Sequence, residues 1–387
     1  MMHRKGYVLP LTFLLLISMT IVVGSLVYVI TAQFKGQGSD IAYAKCQYYA
    51  EAGMAKAIWY LKGGNDNGFR WRRTSLTESF GDGSYRITVE NGNDPLQVKI
   101  TIRGNCGAKS RTLQAYYYTY PPAFNYAVFS TQALFNMFNN SSISNASVYA
   151  DNNVYIGPGA RINNGLFVTA GHAVTGEGSY ILYPIPFPAP SFPTLDTSYY
   201  DSQIAIAAQA SPGDRSYHWP WPIPNPSIYV NGNVYLDTTV YGSGQIVATG
   251  NINIQSSAYI SSNISIISGG NLVFEDHASV QDDCVLFARQ QMTIQSVDNQ
   301  NHVSFVCPGQ INVANNAQLD GIMYGGSVTF GNTAYLYGSL MAGNYGTQNV
   351  LQNNARVYYY HSHFPTVPPP GLAGAYSQVS GSWKEIK

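Results

Sequence analysis

A motif of apolar strand, polar turn and apolar strand recurs through residues 125–360 at a nearly constant spacing, and that recurrence restricts the fold more than any other feature. Ile228-Tyr229-Val230 and Val234-Tyr235-Leu236 flank Gly232, Ile246-Val247-Ala248 and Ile252-Asn253-Ile254 flank Gly250, and Ile264-Ser265-Ile266 and Leu272-Val273-Phe274 flank Gly270. The turn positions Gly232, Gly250, Gly270, Gln290, Gly309, Gly326 and Gly343 step by 18, 20, 20, 19, 17 and 17 residues. Upstream, Gln132, Asn152 and Gly171 step by 20 and 19. No helical spacing intervenes between these strands, which excludes βαβ units and predicts a parallel β-helix, a solenoid of about ten coils. Stacked at ~4.8 Å per coil, it would form a rod of ~48 Å with inward ladders of Val, Ile, Leu and Phe. Coils 1–3 fall in residues 121–182 and coils 4–10 in residues 228–362.

Between them, residues 183–227 form an insertion in which Pro184, Pro186, Pro188, Pro190 and Pro193 exclude a central strand. Ser198–Ala210 reads as a short helix. The insertion ends in His218-Trp219-Pro220-Trp221-Pro222, which has two readings: a ligand platform where Trp219 and Trp221 stack on sugar rings, or a flap packed along the rod. Residues 363–387 read as a proline-rich tail closing or leaving the solenoid.

Charge is sparse, at 10% of 387 residues, and polarity rests on Gly, Tyr, Asn and Ser, as in turn-rich extracytoplasmic proteins. Residues 1–120 carry 14 Lys+Arg against 7 Asp+Glu, and residues 121–387 carry 6 against 13, so the two parts stand at +7 and −7. Neither value fits nucleic acid binding.

Arg4, Lys5 and Gly6 precede Tyr7–Ala32, twenty-six residues without a charge. As a helix this run spans ~39 Å, against a hydrocarbon core of ~30 Å. The basic residues keep the N terminus cytoplasmic and send the rest outward, giving a single-pass membrane protein with its C-terminal part outside the cytoplasm. Helical spacing persists past Gln33, where Ile41, Ala44, Tyr48, Ala52, Ala55 and Trp59 form a stripe that needs a partner. Gly36 and Gly38, at ~1 kcal/mol each, predict a local break. Within 63–120, residues 85–89, 98–102 and 111–116 alternate as half-buried strands and predict a small antiparallel sheet against the helix. The Arg70-Trp71-Arg72-Arg73 cluster between helix and sheet has two readings: a contact with anionic lipid headgroups or a neighbouring subunit, or a solvated loop with one anchoring Trp.

The basic leader ending in Gly6, the apolar helix and Tyr48-Tyr49-Ala50-Glu51-Ala52-Gly53-Met54-Ala55-Lys56-Ala57 resemble the N terminus of type IV pilin-like proteins, most closely the PilX-type minor pilins. The later coils more loosely resemble a polymer-forming, bactofilin-like β-helix. The resemblance implies a leader at 1–6, an assembly helix at 7–62, cleavage after Gly6 and methylation of Tyr7 by a prepilin peptidase. It also implies other pilin or pseudopilin subunits as partners, with the protein in the bacterial inner membrane before assembly and at the cell surface after it. Major pilins carry Glu at the fifth mature position, where this chain has Leu11; that departure points to a minor, terminal subunit. Its function would be assembly priming, tip capping or adhesion to a polysaccharide or host surface. The alternative is a membrane-anchored solenoid that binds or cleaves polysaccharide.

The chain has no GxSxG, phosphate loop or dinucleotide fingerprint, so neither an enzyme nor a cofactor is expected. Asp282 and Asp283 lie in a stretch similar to the aspartate pair of β-solenoid polygalacturonases, but the accompanying motifs are missing and a turn corner is expected. His277 and His302, near Asp276 and Asp298, match no metal-ligand spacing. The cysteines form no CxxC; their even number and placement predict two bridges, Cys46 to Cys106 and Cys284 to Cys307.

Overall fold

A computed structural model describes residues 8–61, 75–92, 96–186, 189–218, 220–222, 227–295, 302–343, 348–366, 368–372, 378–379 and 381–386. The chain is mainly β: one long helix, a small antiparallel sheet and a parallel solenoid of about 11 turns.

Helix α1, Val8–Leu61, runs unbroken for 54 residues, ~80 Å. It passes through Gly36 and Gly38 without the expected break. A Cβ at either position would meet no atom within 4 Å, so these glycines lie in open helix, where neighbouring hydrogen bonds hold the backbone. Four strands follow: β1 (Ser75–Phe80), β2 (Gly83–Asn91), β3 (Gln97–Cys106) and β4 (Lys109–Tyr118), joined as an antiparallel meander. The buried faces of β2 and β3 alternate as expected, with Tyr85, Ile87 and Val89 beside Val98, Ile100 and Ile102. A fifth strand, Lys384–Ile386, pairs antiparallel with β4. The C-terminal tail thus leaves the solenoid and returns to the sheet. Arg111 on β4 pairs with Glu385 there.

The solenoid is therefore an insertion between two neighbouring strands of that sheet. Entry and exit pack together: Tyr120 and Phe124 meet Phe364 at 5.3 and 6.2 Å between ring centroids, and the Tyr359 hydroxyl donates to the Phe124 carbonyl at 2.7 Å.

Coil order departs from chain order. Starting at residue 128 the chain winds three coils in one direction, then crosses to the far end at residue 215 and winds back. The result is one unbroken ladder: Ile228, Ile246, Ile266, Leu286, Phe305, Met323, Leu340, Val128, Val148, Leu166 and Leu182 each pair with the next. From Ile246 to Leu166 every member is buried, each contributing about 1.5–3 kcal/mol. The seam lies where Leu340 meets Val128. Leu340 donates its N–H to Ala127, the Ser339 hydroxyl to the Tyr126 carbonyl, and the Asn349 amide to Ser130 Oγ, at 2.9, 2.8 and 2.9 Å.

The turns explain the Gly-Asn pairs at the repeat positions. Asn233 Oδ1 accepts the Asn251 N–H and Asn251 Oδ1 accepts the Asn271 N–H, both at 2.8 Å, so each corner satisfies the backbone of the next coil.

Because coil winding restarts at the far end, the insertion runs along the rod. Its helix α2, Ser198–Ala207, packs on strands Ile228–Val230, Gly244–Ala248 and Ile264–Ser268. Tyr200 is fully buried, stacked on Phe287 at 3.8 Å and 5°. Phe192 lies against Phe129 and Tyr324, and the Tyr324 hydroxyl donates to the Pro193 carbonyl at 2.9 Å.

Candidate functional site

The helix offers two surfaces. From Leu11 to Ile30 every large apolar side chain is exposed, Leu11 at 66%, and this is the one described helix long and apolar enough to cross a membrane. Beyond it, β2, β3 and β4 cover one side of α1. The covered stripe is Cys46, Ala50, Gly53, Met54, Ala57 and Leu61, not the one expected. Ile41, Tyr48 and Trp59 instead stand exposed at 60%, 61% and 48%.

Small residues decide which side the sheet takes. A Cβ on Gly53 would lie 2.8 Å from Ile102 Cγ2, and one on Gly104 would lie 2.1 Å from the Cys46 carbonyl oxygen. Sheet and helix backbones approach too closely at these points for any side chain, and the bulkier stripe cannot provide such an approach. Glu51 and Ala52 border the covered face; Glu51 is exposed and accepts a 3.0 Å hydrogen bond from Gln47.

Polar fasteners rim this contact. Asp82, in the turn after β1, receives Lys45 Nζ at 2.5 Å and the Tyr49 hydroxyl. Those two hydrogen bonds hold its carboxyl down at about 2, and the bond to Asp82 raises the Lys45 ammonium above its ordinary value. Tyr60 and Tyr85 both donate to Glu78 on β1.

All four cysteines are free thiols. Cys46 and Cys106 do come together: the backbone of Cys106 hydrogen-bonds the Cys46 thiol, while burial pushes that thiol up. The Cys284–Cys307 bridge is corrected by register. Val306 pairs with Phe287, which places Cys307 beside Ala288, four residues and ~13 Å along the strand from Cys284. Cys284 donates instead to the Ser261 carbonyl at 3.2 Å, and burial pushes both thiols up to about 12.

Gly6, Tyr7, Trp219, Asp298 and the Arg70–Arg73 cluster lie outside the described residues, and of Trp221 only the backbone is described, in strand Trp221–Pro222. Asp283 sits at a corner with φ 58° and accepts the Thr366 N–H, so it holds the exit segment. Between insertion and rod lies a groove of about 600 Å³ lined by Gln132, Tyr149, Asp151, Phe192 and Tyr324.

One constellation was invisible to spacing. Asp282 and His302, next to strand starts, and Asp320, within strand Gln318–Phe330, stack on successive coils, and His363 reaches them from the single turn His361–His363 of the exit segment. His363 Nδ1 lies 2.6 Å from Asp320 Oδ2, and His302 Nδ1 lies 3.6 Å from Asp282 Oδ1. His277, by contrast, stands at another corner with φ 63°, outside this group.

Together these elements define a molecule with an exposed apolar helix, a sheet seated on the helix's second half, and a β-solenoid carried as an insert of that sheet. No protein-family profile matches the chain, and no characterised relative matches it. Among solved structures it is similar to the competence-associated pilin ComZ from Thermus thermophilus, at 13% identity and a TM-score of 0.26, over 89% of this chain and 97% of that one. At that score the two backbones do not superpose as wholes, so the functional reading is built on this chain's own elements.

Proposed function

We infer that the protein is a minor pilin-like structural subunit, related in plan to PilX-type proteins, whose helix waits in the inner membrane and then enters a filament. The observation that carries this reading is the continuous helix Val8–Leu61, bare along its apolar half and covered on one side only along the rest. A plain anchor has no need of Ile41, Tyr48 and Trp59 above the membrane. An assembly helix uses them, because neighbouring helices of other pilin or pseudopilin subunits bury the stripe that the sheet leaves open.

Leu11 in place of a carboxylate argues for few copies at a filament end, with the solenoid displayed for priming, capping or adhesion. Cleavage after Gly6 by a prepilin peptidase and methylation of Tyr7 belong to the same reading. Mass spectrometry of the mature N terminus, in cells with and without the peptidase, tests it. A chain starting at methylated Tyr7 only when the peptidase is present is the expected result; an intact Met1 in both strains would refute it.

A further inference from the structure

We propose that His302, Asp320 and His363 form a binding site for a divalent transition-metal ion, with Zn²⁺ the best fit and Asp282 at its rim. Each of the three residues offers one ligand atom, and these atoms all lie within 4.8 Å of one another. The two imidazoles stand nearly perpendicular, at 88° and 5.9 Å between ring centroids, so they approach the cluster from different directions. Tyr337, on the next coil, stacks on His363 at 5.8 Å and fixes that ring.

Asp320 carries the argument. Only 2% of it is exposed, and while Oδ2 meets His363, Oδ1 is buried with no hydrogen-bond partner among the described residues. An isolated His–Asp pair fastening the exit segment leaves that oxygen orphaned, which costs about 1–3 kcal/mol or more for a charged group. A cation supplies the missing partner.

The donor set selects the class of ion. Two imidazole nitrogens with a carboxylate suit Zn²⁺ and its first-row neighbours, whereas Ca²⁺ and Mg²⁺ take oxygen ligands. Donors sit ~2.0–2.1 Å from tetrahedral Zn²⁺, hence ~3.3 Å from one another, so side-chain movements of roughly 1 Å close the present arrangement. Two carboxylates near the site balance the charge of the ion. Water or Asp282, whose side chain is half-exposed, completes the shell. Such an ion staples the exit segment to two successive coils, and that segment is what ties the solenoid back to the sheet on α1.

The test uses the full-length chain in detergent, stripped with a chelator and titrated with Zn²⁺, with Co²⁺ as a spectroscopic probe. One ion per chain is expected, with visible Co²⁺ bands and a raised melting temperature. His302→Ala leaves the His363–Asp320 pair in place yet should weaken binding by about 100-fold or more. Asp320→Asn and His363→Ala should do the same, while His277→Ala should match the unaltered chain. Circular dichroism of each stripped variant separates loss of the site from loss of the fold. Zn²⁺ affinity unchanged in folded His302→Ala, or no binding by the unaltered chain, would overturn the proposal.

Discussion

Joining the solenoid's last coil to its first makes a prediction that no stack in chain order shares. Ser142 and Arg356 are direct partners on neighbouring coils, although they lie 214 positions apart in sequence. Parallel neighbours are ~4.8 Å apart, within the 4.4–6.8 Å that a disulfide spans. In a stack following chain order the two positions would be nine coils, or ~43 Å, apart. A Ser142→Cys, Arg356→Cys chain, with Cys106→Ser to remove the half-exposed native thiol, should therefore form an internal disulfide under mild oxidation. Chain-entropy arithmetic for a loop of this length gives about 5 kcal/mol of stabilisation. Loss of the Arg356 guanidinium over Tyr335, 5.5 Å from its ring centroid, offsets about 0.5–1 kcal/mol of that. Non-reducing peptide mapping identifies the bond, and denaturant midpoints with and without reductant give its effect. Folded protein that stays reduced, or that links only between chains, would refute the coil order.

Three further outcomes follow from the packing. Tyr200 is buried with its hydroxyl unpartnered among the described residues, so Tyr200→Phe should stabilise by about 1 kcal/mol, whereas Tyr200→Ala, losing the stack on Phe287, should cost about 3–5 kcal/mol; urea melts distinguish the two. Gly104→Ala drives a methyl into the Cys46 carbonyl and should cost about 1–3 kcal/mol, read as a lower melting temperature of the helix–sheet contact. Asp82 has its folded-state pKa depressed, so its contribution is present above about 4 and disappears as pH falls toward about 2. Its exposure keeps the effect small; Asp82→Asn should flatten the acid limb of stability between those values, and carboxyl NMR titration should place Asp82 well below the ordinary aspartate value.

Much of this architecture was written locally. A period of two within strands, corners every 17–20 residues and an uncharged run of twenty-six residues each state their structure through near neighbours, and so the solenoid, the sheet and the helix were legible in the sequence. Which side of α1 meets the sheet was not. Ile41, Tyr48 and Trp59 look like the buried stripe by hydropathy, but close approach at Gly53 and Gly104 favours the small-residue side, a constraint that exists only once both backbones are placed. Coil order was hidden for a related reason: rungs of Val, Ile and Leu are chemically alike, so nothing in Leu340 says that its partner is Val128. Asp320 and His363 were hidden further still, 43 residues apart and joined only because the exit segment folds back over the corners. Sequence alone determined the repeating parts, since their signals are short in range; the tertiary structure decided how the parts close on one another, because closure depends on where the chain must enter and leave.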